Sequence, residues 1–454
     1  MSLEFTDELP LARLAGQPEQ VLGKGAMNET LHFCSPAHGG WGVIRVACML
    51  PETQLLFVCP EACGRHGAIA SIEQGYRSKI TYLCIDEHEI ILGGYDAEIE
   101  RAVDDIMVKV KPRPKAILLF LPCIDDLLAG DHSAAIKKME EKHCLPIRLT
   151  RMNPIMLDNK MTPMLRVQRA LYEFLPKYPA DKKDQGIIVL GSFSPPTQAS
   201  ELAALMRRLG FGPLRHPAFC SSFEEFTALS QSAAAIVLRP EGGAAADFLG
   251  SERGIPAIHA PVAFDTPAII ERYQHIIDFL SALPGAHKTR VSAQEIFADA
   301  IDAAAAKLEQ AAAFLKGASV AVDSTVTASP FSLALALVRG GIRVSRVYAN
   351  YLGAHEKAAF KELADLDGSI IAANPNHGKK YGTRPEHPLA DIAIGFEAGY
   401  ATAAPVTVPL AFDEGRYGFE GFIAVIDAIV EAVNENREAR QNLREQIKSY
   451  GLVV

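Results

Sequence analysis

Short apolar runs of strand length recur along this chain, separated by segments with helical spacing. QLLFVC (54–59), ITYLCI (80–85), AILLFLPC (116–123) and LPIRLT (145–150) are four such runs in its first third. Runs of four to eight apolar residues without polar alternation suit strands covered on both faces. Between them, AEIERAVDDIMVKV (97–110) sets Ile99, Val103, Ile106 and Met107 at helical spacing, and AAIKKMEEKH (134–143) reads as a second helix. Strands alternating with amphipathic helices predict a parallel, doubly wound sheet.

The same plot returns twice. A connection with one helix (MLRVQRALYEFL, 164–175) leads to the polar boundary KYPADKKDQG. Strands are then expected in GIIVLGSF (186–193), SAAAIVLRP (232–240) and IPAIHAP (255–261), with helices in 198–210, 244–254, 269–283 and the Ala-rich 293–317. A third set follows: ASVAVD, VSRVYAN, GSIIAAN, LADIAIG and PVTVPLAF as strands, and PFSLALALVRGG (330–341) as a helix opened by Pro and closed by paired Gly. Residues 418–447 read as a terminal helix or helix pair. The predicted fold class is α/β, with three Rossmann-like units of parallel sheet flanked by helices. The expected division is 1–150 (a mostly irregular N-terminal arm over 1–33, then a cluster-binding unit), 151–317 (with connecting helices) and 318–454 (with the C-terminal helix). Ligand sites belong at the carboxyl ends of such strands.

A net charge of −9 offers no basic surface for nucleic acid or an anionic membrane. The acidic start, MSLEFTDELPLARLAG, has no apolar core of signal length, and no apolar stretch nears the ~18 residues of a membrane helix. A cytoplasmic chain without membrane contact is expected, and its eight cysteines are not expected to form a disulfide framework. Cys48 and Cys84 sit inside apolar runs and read as buried thiols, while Cys144 (KHCLPI) reads as the start of a strand.

Cys34, Cys63 and Cys123 are different. Each stands at or just past an apolar run, beside Gly or Pro. Their spacings of 29 and 60 residues are too wide for a zinc knuckle or a ferredoxin run. They suit a cluster held by loops from several α/β units. Cys63, with Arg65 and His66 beside it and Gly64 and Gly67 freeing amides, would be a low-pKa nucleophile or an iron ligand, and Cys59 rivals it for that role. Soft thiolates select iron–sulfur clusters or zinc. Three ligands fall one short of a cubane, so another group or a partner subunit would complete it. Burial as core is the competing reading for each thiol.

The order of motifs resembles the nitrogenase component 1 family, which includes the nitrogenase catalytic subunits, their cofactor-assembly scaffolds, and the protochlorophyllide and related nitrogenase-like reductases. CSPAHGGWG around Cys34 resembles the family's first cluster cysteine, and CPEACGRHGA around Cys63 its second, without the His-Gly-Pro. The stretch from EHEIILGGYD through LPCIDDLLAGD resembles the segment that ends in the third cysteine, here Cys123. SERGIPAIHAPVAFDTPAIIERYQHIIDFL and GRYGFEGFIAVIDAIVEAV resemble later family segments, so the likeness covers most of the chain.

The resemblance implies that Cys34, Cys63 and Cys123 bind an iron–sulfur cluster, 4Fe-4S or 8Fe-7S-like, at a subunit interface. It implies a homo- or heterodimer with a related subunit, an ATP-dependent iron protein as electron donor, and a small-molecule or tetrapyrrole substrate. Nitrogenase catalytic subunits also hold a metal cofactor by a Cys in the second unit and a His in the third. No Cys lies near Leu238–Pro240, Cys220 comes too early, and His377 and His387 are the third-unit candidates. Dinitrogen reduction is therefore not expected. A cofactor-assembly scaffold of the same fold, binding a metal cofactor or tetrapyrrole, is the alternative. Arg45, Glu89 and Arg65 are candidate supports for the cluster. Asp125 and Asp126 read as helix caps or as part of a docking face. PEGGAAADF (240–248) reads as a tight helix–strand contact or a place where a ligand nears the backbone.

Overall fold

The computed structural model describes residues 8–16, 42–61, 64, 68, 75–92, 94–151, 161–179, 183–287, 291–349, 351–373 and 385–435. The first strand, β1 (Glu8–Pro10), belongs to a distant sheet. The first sheet is built from β2 (Thr53–Cys59), β3 (Ile80–Cys84), β4 (Ala116–Leu121) and β5 (Ile147–Arg151), all parallel, in the order β3-β2-β4-β5. The second contains β6 (Ile187–Leu190), β7 (Leu214–Arg215), β8 (Ala234–Val237) and β9 (Ala257–His259), in the order β7-β6-β8-β9. The third contains β10 (Val320–Asp323), β11 (Val344–Tyr348), β12 (Ile371–Ala373), β13 (Ile392–Ile394) and β14 (Val406–Val408), in the order β12-β11-β10-β13-β14. β1 pairs antiparallel with the β12 edge.

All three sheets share one winding. The leading strand is internal, the chain moves to one side, then returns to build the other. Each sheet therefore has a switch point, between β2 and β4, between β6 and β8, and between β10 and β13, where a crevice opens at the carboxyl ends.

The continuous apolar runs are explained by two-sided burial. Every residue of β2 and of β4 is buried. Leu56, Val58, Ile117 and Leu119 face one core with Ile99, Val103, Ile106 and Met139 from the helices Asp96–Lys109 and Ser133–His143. Leu55, Phe57, Leu118 and Phe120 face another, shared with Ile188, Leu190, Ala235 and Val237 of the second sheet. The alternate residues Ile187 and Val189 turn the other way and pack with Val320, Leu333 and Phe422 of the third unit. The second sheet is thus a wall between two cores.

Some local expectations change. Cys48 is buried as expected, and burial pushes its thiol up to about 12. Cys84 is exposed, because β3 is an edge strand whose last residue faces outward. Cys144 is no strand start. It closes the helix Ser133–His143 in a left-handed conformation, exposed, with φ 52°. WGVIRVACML forms a helix over Gly42–Ala47. Within the N-terminal arm, residues 8–16 are described: beyond β1, Leu11 and Leu14 of a short helix enter the core of the second and third units. The terminal helix is described over Gly418–Asn434. Among the described residues no helix is long and apolar enough to cross a membrane.

Candidate functional site

At the first switch point Cys59 ends β2, and Cys123 follows β4 after a single proline. Cys59 is fully buried within the core. Cys123 opens the short helix Cys123–Leu127 as a free, half-buried thiol. Cys34, Cys63, Arg65 and His66 lie outside the described residues.

A charged network holds the helix that Cys123 opens. Asp125, 1 % exposed, takes Arg151 Nε on one oxygen at 2.8 Å and His132 Nε2 on the other at 2.8 Å. The Tyr95 hydroxyl also donates to Asp125. His132 Nδ1 bonds Asp96 at 2.5 Å, and Arg151 Nη2 donates to the Gly130 carbonyl at 2.5 Å. Arg166 pairs with Asp126 at 2.9 Å. Asp125 and Asp126 are therefore not helix caps: Pro122 occupies the cap position, and the two carboxylates anchor the turn to β5 and to the helix Pro163–Tyr172. Burial alone would raise Asp125, but His132 and Arg151 outweigh it and leave the carboxyl below its ordinary value. Burial likewise opposes a charge on His132, and Asp125 and Asp96 outweigh it, so the imidazole sits above its ordinary 6.5. The two candidate supports that are described, Arg45 and Glu89, have partners of their own. Arg45 pairs with Glu414 and lies 5.3 Å over the Phe193 ring, while Glu89 accepts from the Asp86 amide at 3.2 Å.

A second feature lies between the second and third units. A cavity of about 560 Å³ opens at the carboxyl ends of β8 and β9, with Val237, Arg239 and Pro240 on one side and His259 and Pro261 beside them. Arg272 and His275 of the helix Thr266–Ser281 form a second wall. Tyr351, Gly353, Ala354 and His355, from the segment after β11, form the third. The volume suits a small organic molecule or cofactor.

Arg239 is buried and stays a cation. Burial works against its charge, but Glu241 (3.0 Å) and Asp413 (2.5 Å) outweigh that. Asp413 also accepts the Ala328 amide at 2.9 Å, and the Ala328 carbonyl accepts His355 Nε2 at 3.0 Å. One residue of the loop after β10 thus ties Arg239 to His355. A carbonyl only accepts, so His355 carries its proton on Nε2 and a lone pair on Nδ1. Burial and the neighbouring Arg272 charge keep this ring below the ordinary histidine value, against the pull of the Ala328 bond, and so neutral. The ring edge bearing Nδ1 lies where a Cβ on residue 353 would come within 2.7 Å, which explains Gly353. Next in the chain, Glu356 accepts the Phe331 and Ser332 amides at 2.9 and 3.1 Å, and burial pushes it up to about 8.

The first glycine of PEGGAAADF, Gly242, serves packing. A Cβ on Gly242 would lie 2.7 Å from the Gly191 nitrogen, so helix and strand meet there backbone to backbone. The same turn still contributes Pro240 to the cavity wall. His387 is exposed, and His377 lies outside the described residues. The histidines on the cavity are instead His259, His275 and His355, none of them singled out from the sequence. Arg239 and His259 had a legible signal: each is a polar residue at the carboxyl end of an apolar strand. Arg272 and His355 had none, because only the packing of a helix and a loop brings them there.

The model for nitrogenase component 1 type oxidoreductases matches residues 39–434. The chain belongs to that family. The nitrogenase iron-molybdenum cofactor biosynthesis protein NifE of Clostridium pasteurianum is 25% identical over 162 residues, 35% of this chain and 34% of that protein. The chain thus spans about a third of the length of this curated relative. Two solved structures of nitrogenase Cp1 have the same fold. At pH 6.5 the TM-score is 0.65 with 15% identity, covering 89% of this chain and 93% of that one. At pH 5 it is 0.63 with 13% identity, covering 94% of each.

Nitrogenase component 1 type proteins generally bind iron–sulfur clusters and assemble with related subunits and an iron protein. Cys123 fits such a group in kind, as a half-buried free thiol at a switch point. Among the described residues, no three His, Cys, Asp or Glu side chains gather to hold a metal ion.

Proposed function

We propose that this chain is an iron–sulfur component of a nitrogenase-like reductase. Cys34, Cys63 and Cys123 would hold a 4Fe-4S or 8Fe-7S-like cluster at an interface with a related subunit, in a homo- or heterodimer. The cluster supplies one-electron redox chemistry, with an ATP-dependent iron protein as donor. The cavity between the second and third units takes the substrate or cofactor to be reduced, a small molecule or tetrapyrrole rather than dinitrogen. The observation that carries this reading is the pairing of a thiol at the first switch point with a separate cavity at the second. Arg239, and no cysteine, stands at the cavity edge over 238–240, which supports a ligand other than a cysteine-held metal cofactor. The partner is supported by apolar side chains at the cysteine end of the first sheet: Ile91 is 61 %, Leu92 80 % and Leu128 48 % exposed.

Anaerobically purified protein should contain iron and acid-labile sulfide, with a paramagnetic signal after dithionite reduction. Cys123→Ala should lose most of the iron without unfolding. Iron-free wild type after reconstitution with iron and sulfide would rule the reading out. The scaffold alternative draws on the likeness to a cofactor biosynthesis protein. It predicts iron without turnover when iron protein, ATP and reductant are supplied, and a bound cofactor that transfers to an acceptor.

A further inference from the structure

We infer that the cavity selects its ligand by carboxylate groups, with Arg272 as the recognising cation and an apolar surface for the ligand's body. The inference rests on the reading that the cavity holds a ligand, and it names that ligand's chemistry. The ionisable or hydrogen-bonding side chains on the cavity are Arg239, His259, Arg272, His275, Tyr351 and His355. Among the described lining residues there is no carboxylate, so a ligand there meets chiefly donors. Arg239 contributes little net charge, because Glu241 and Asp413 hold it from behind.

Arg272 is different. Its side chain is only 16 % exposed, yet among the described residues its ion partner is Glu271 at 3.4 Å, itself 54 % exposed, and its buried Nε makes no hydrogen bond to them. A pair at that distance with a solvent-exposed carboxylate neutralises little. A guanidinium so poorly supplied with acceptors is a site for a planar oxyanion, which it binds through two parallel N–H bonds. Its charge acts on the cavity, since it depresses His355. A histidine-held metal is the weaker reading: the described residues bring no three donors into coordinating range. Val237, Pro240, Pro261 and Ala354 complete the lining with apolar surface. The complementary ligand has an apolar body and at least one carboxylate.

A matched pair of fluorescent probes tests this: pyrenebutyrate, and pyrenebutanol, which has the same body without the charge. Titrations of the full chain followed by anisotropy should give tighter binding of the butyrate by roughly tenfold or more, the range of a charge-assisted hydrogen bond. Arg272→Met should remove that preference, Arg272→Lys should keep part of it, and Arg208→Met on an exposed helix face should change nothing. Ala354→Trp, which places a large ring at the cavity mouth, should weaken both probes. If both probes bind equally, lose affinity in Ala354→Trp and ignore Arg272→Met, the cavity holds ligands but the carboxylate inference is wrong. If neither probe binds, or Ala354→Trp has no effect on either, the cavity reading fails and takes the inference with it.

Discussion

His132 shows how much a single side chain carries beside the proposed cluster ligand. Its folded value is raised, so its stabilising contribution is complete below the ordinary 6.5 and disappears as pH rises through the higher folded value. Asp125 runs the other way: its depressed value gives a contribution that is lost as pH falls through it. The network is therefore strongest between the carboxylate and histidine ranges. An NMR titration should place the His132 imidazole above 6.5, and Asp125→Asn should bring it down. Glu356 adds to the loss with rising pH: an acid raised from 4.5 to about 8 gives a contribution that is complete below 4.5 and gone once pH has risen through about 8. Denaturant stability should fall between pH 6.5 and about 8, where both groups contribute, and His132→Gln and Glu356→Gln should each flatten that fall. Equal slopes in wild type and both variants would contradict this account.

At the scale of elements, the buried strands were legible because their apolar runs have no polar face. β4 is the clearest case, paired on both sides and covered by two cores. Leu119→Ala should cost about 2–5 kcal/mol, the range for removing a fully buried leucine side chain, read as a shifted urea midpoint with unchanged slope. β1 was not legible. Three residues pairing with the edge of a sheet more than 300 positions away leave no local period. The helix Lys357–Leu366 also passed unread in the sequence, although Phe360, Leu363 and Ala364 mark its buried face. The helix-cap reading of Asp125 and Asp126 failed for a related reason. An acidic pair at a helix start looks the same whether it faces amides or distant arginines.

For the whole molecule, the ion pair between Arg239 and Asp413 joins the second unit to the third, 174 positions apart. Both side chains are nearly inaccessible, at 6 and 4 % exposure. Removing one partner strands a buried charge, so Asp413→Asn should cost about 3–5 kcal/mol. Asp365→Asn, which breaks the exposed Lys361 pair, should cost no more than about 0.5 kcal/mol. Chemical denaturation of both variants gives the comparison, and similar losses would mean that Arg239 finds another acceptor. The same pair holds the cavity wall, so Asp413→Asn should also weaken ligand binding there.

The sequence by itself determined the fold class, the three-fold repetition of the α/β plot, the family, and the position of Cys123 just beyond a buried strand. Those features are local. Strand runs, helical spacing and motif order survive being read along one dimension. Only the tertiary structure decided that β1 completes the third sheet, that Asp125 is fixed by His132 and Arg151, and that Arg272 and His355 face one cavity with Arg239. Each of those depends on side chains far apart in the chain meeting at strand ends. Local propensity says where a strand stops, but only packing says what its end will face.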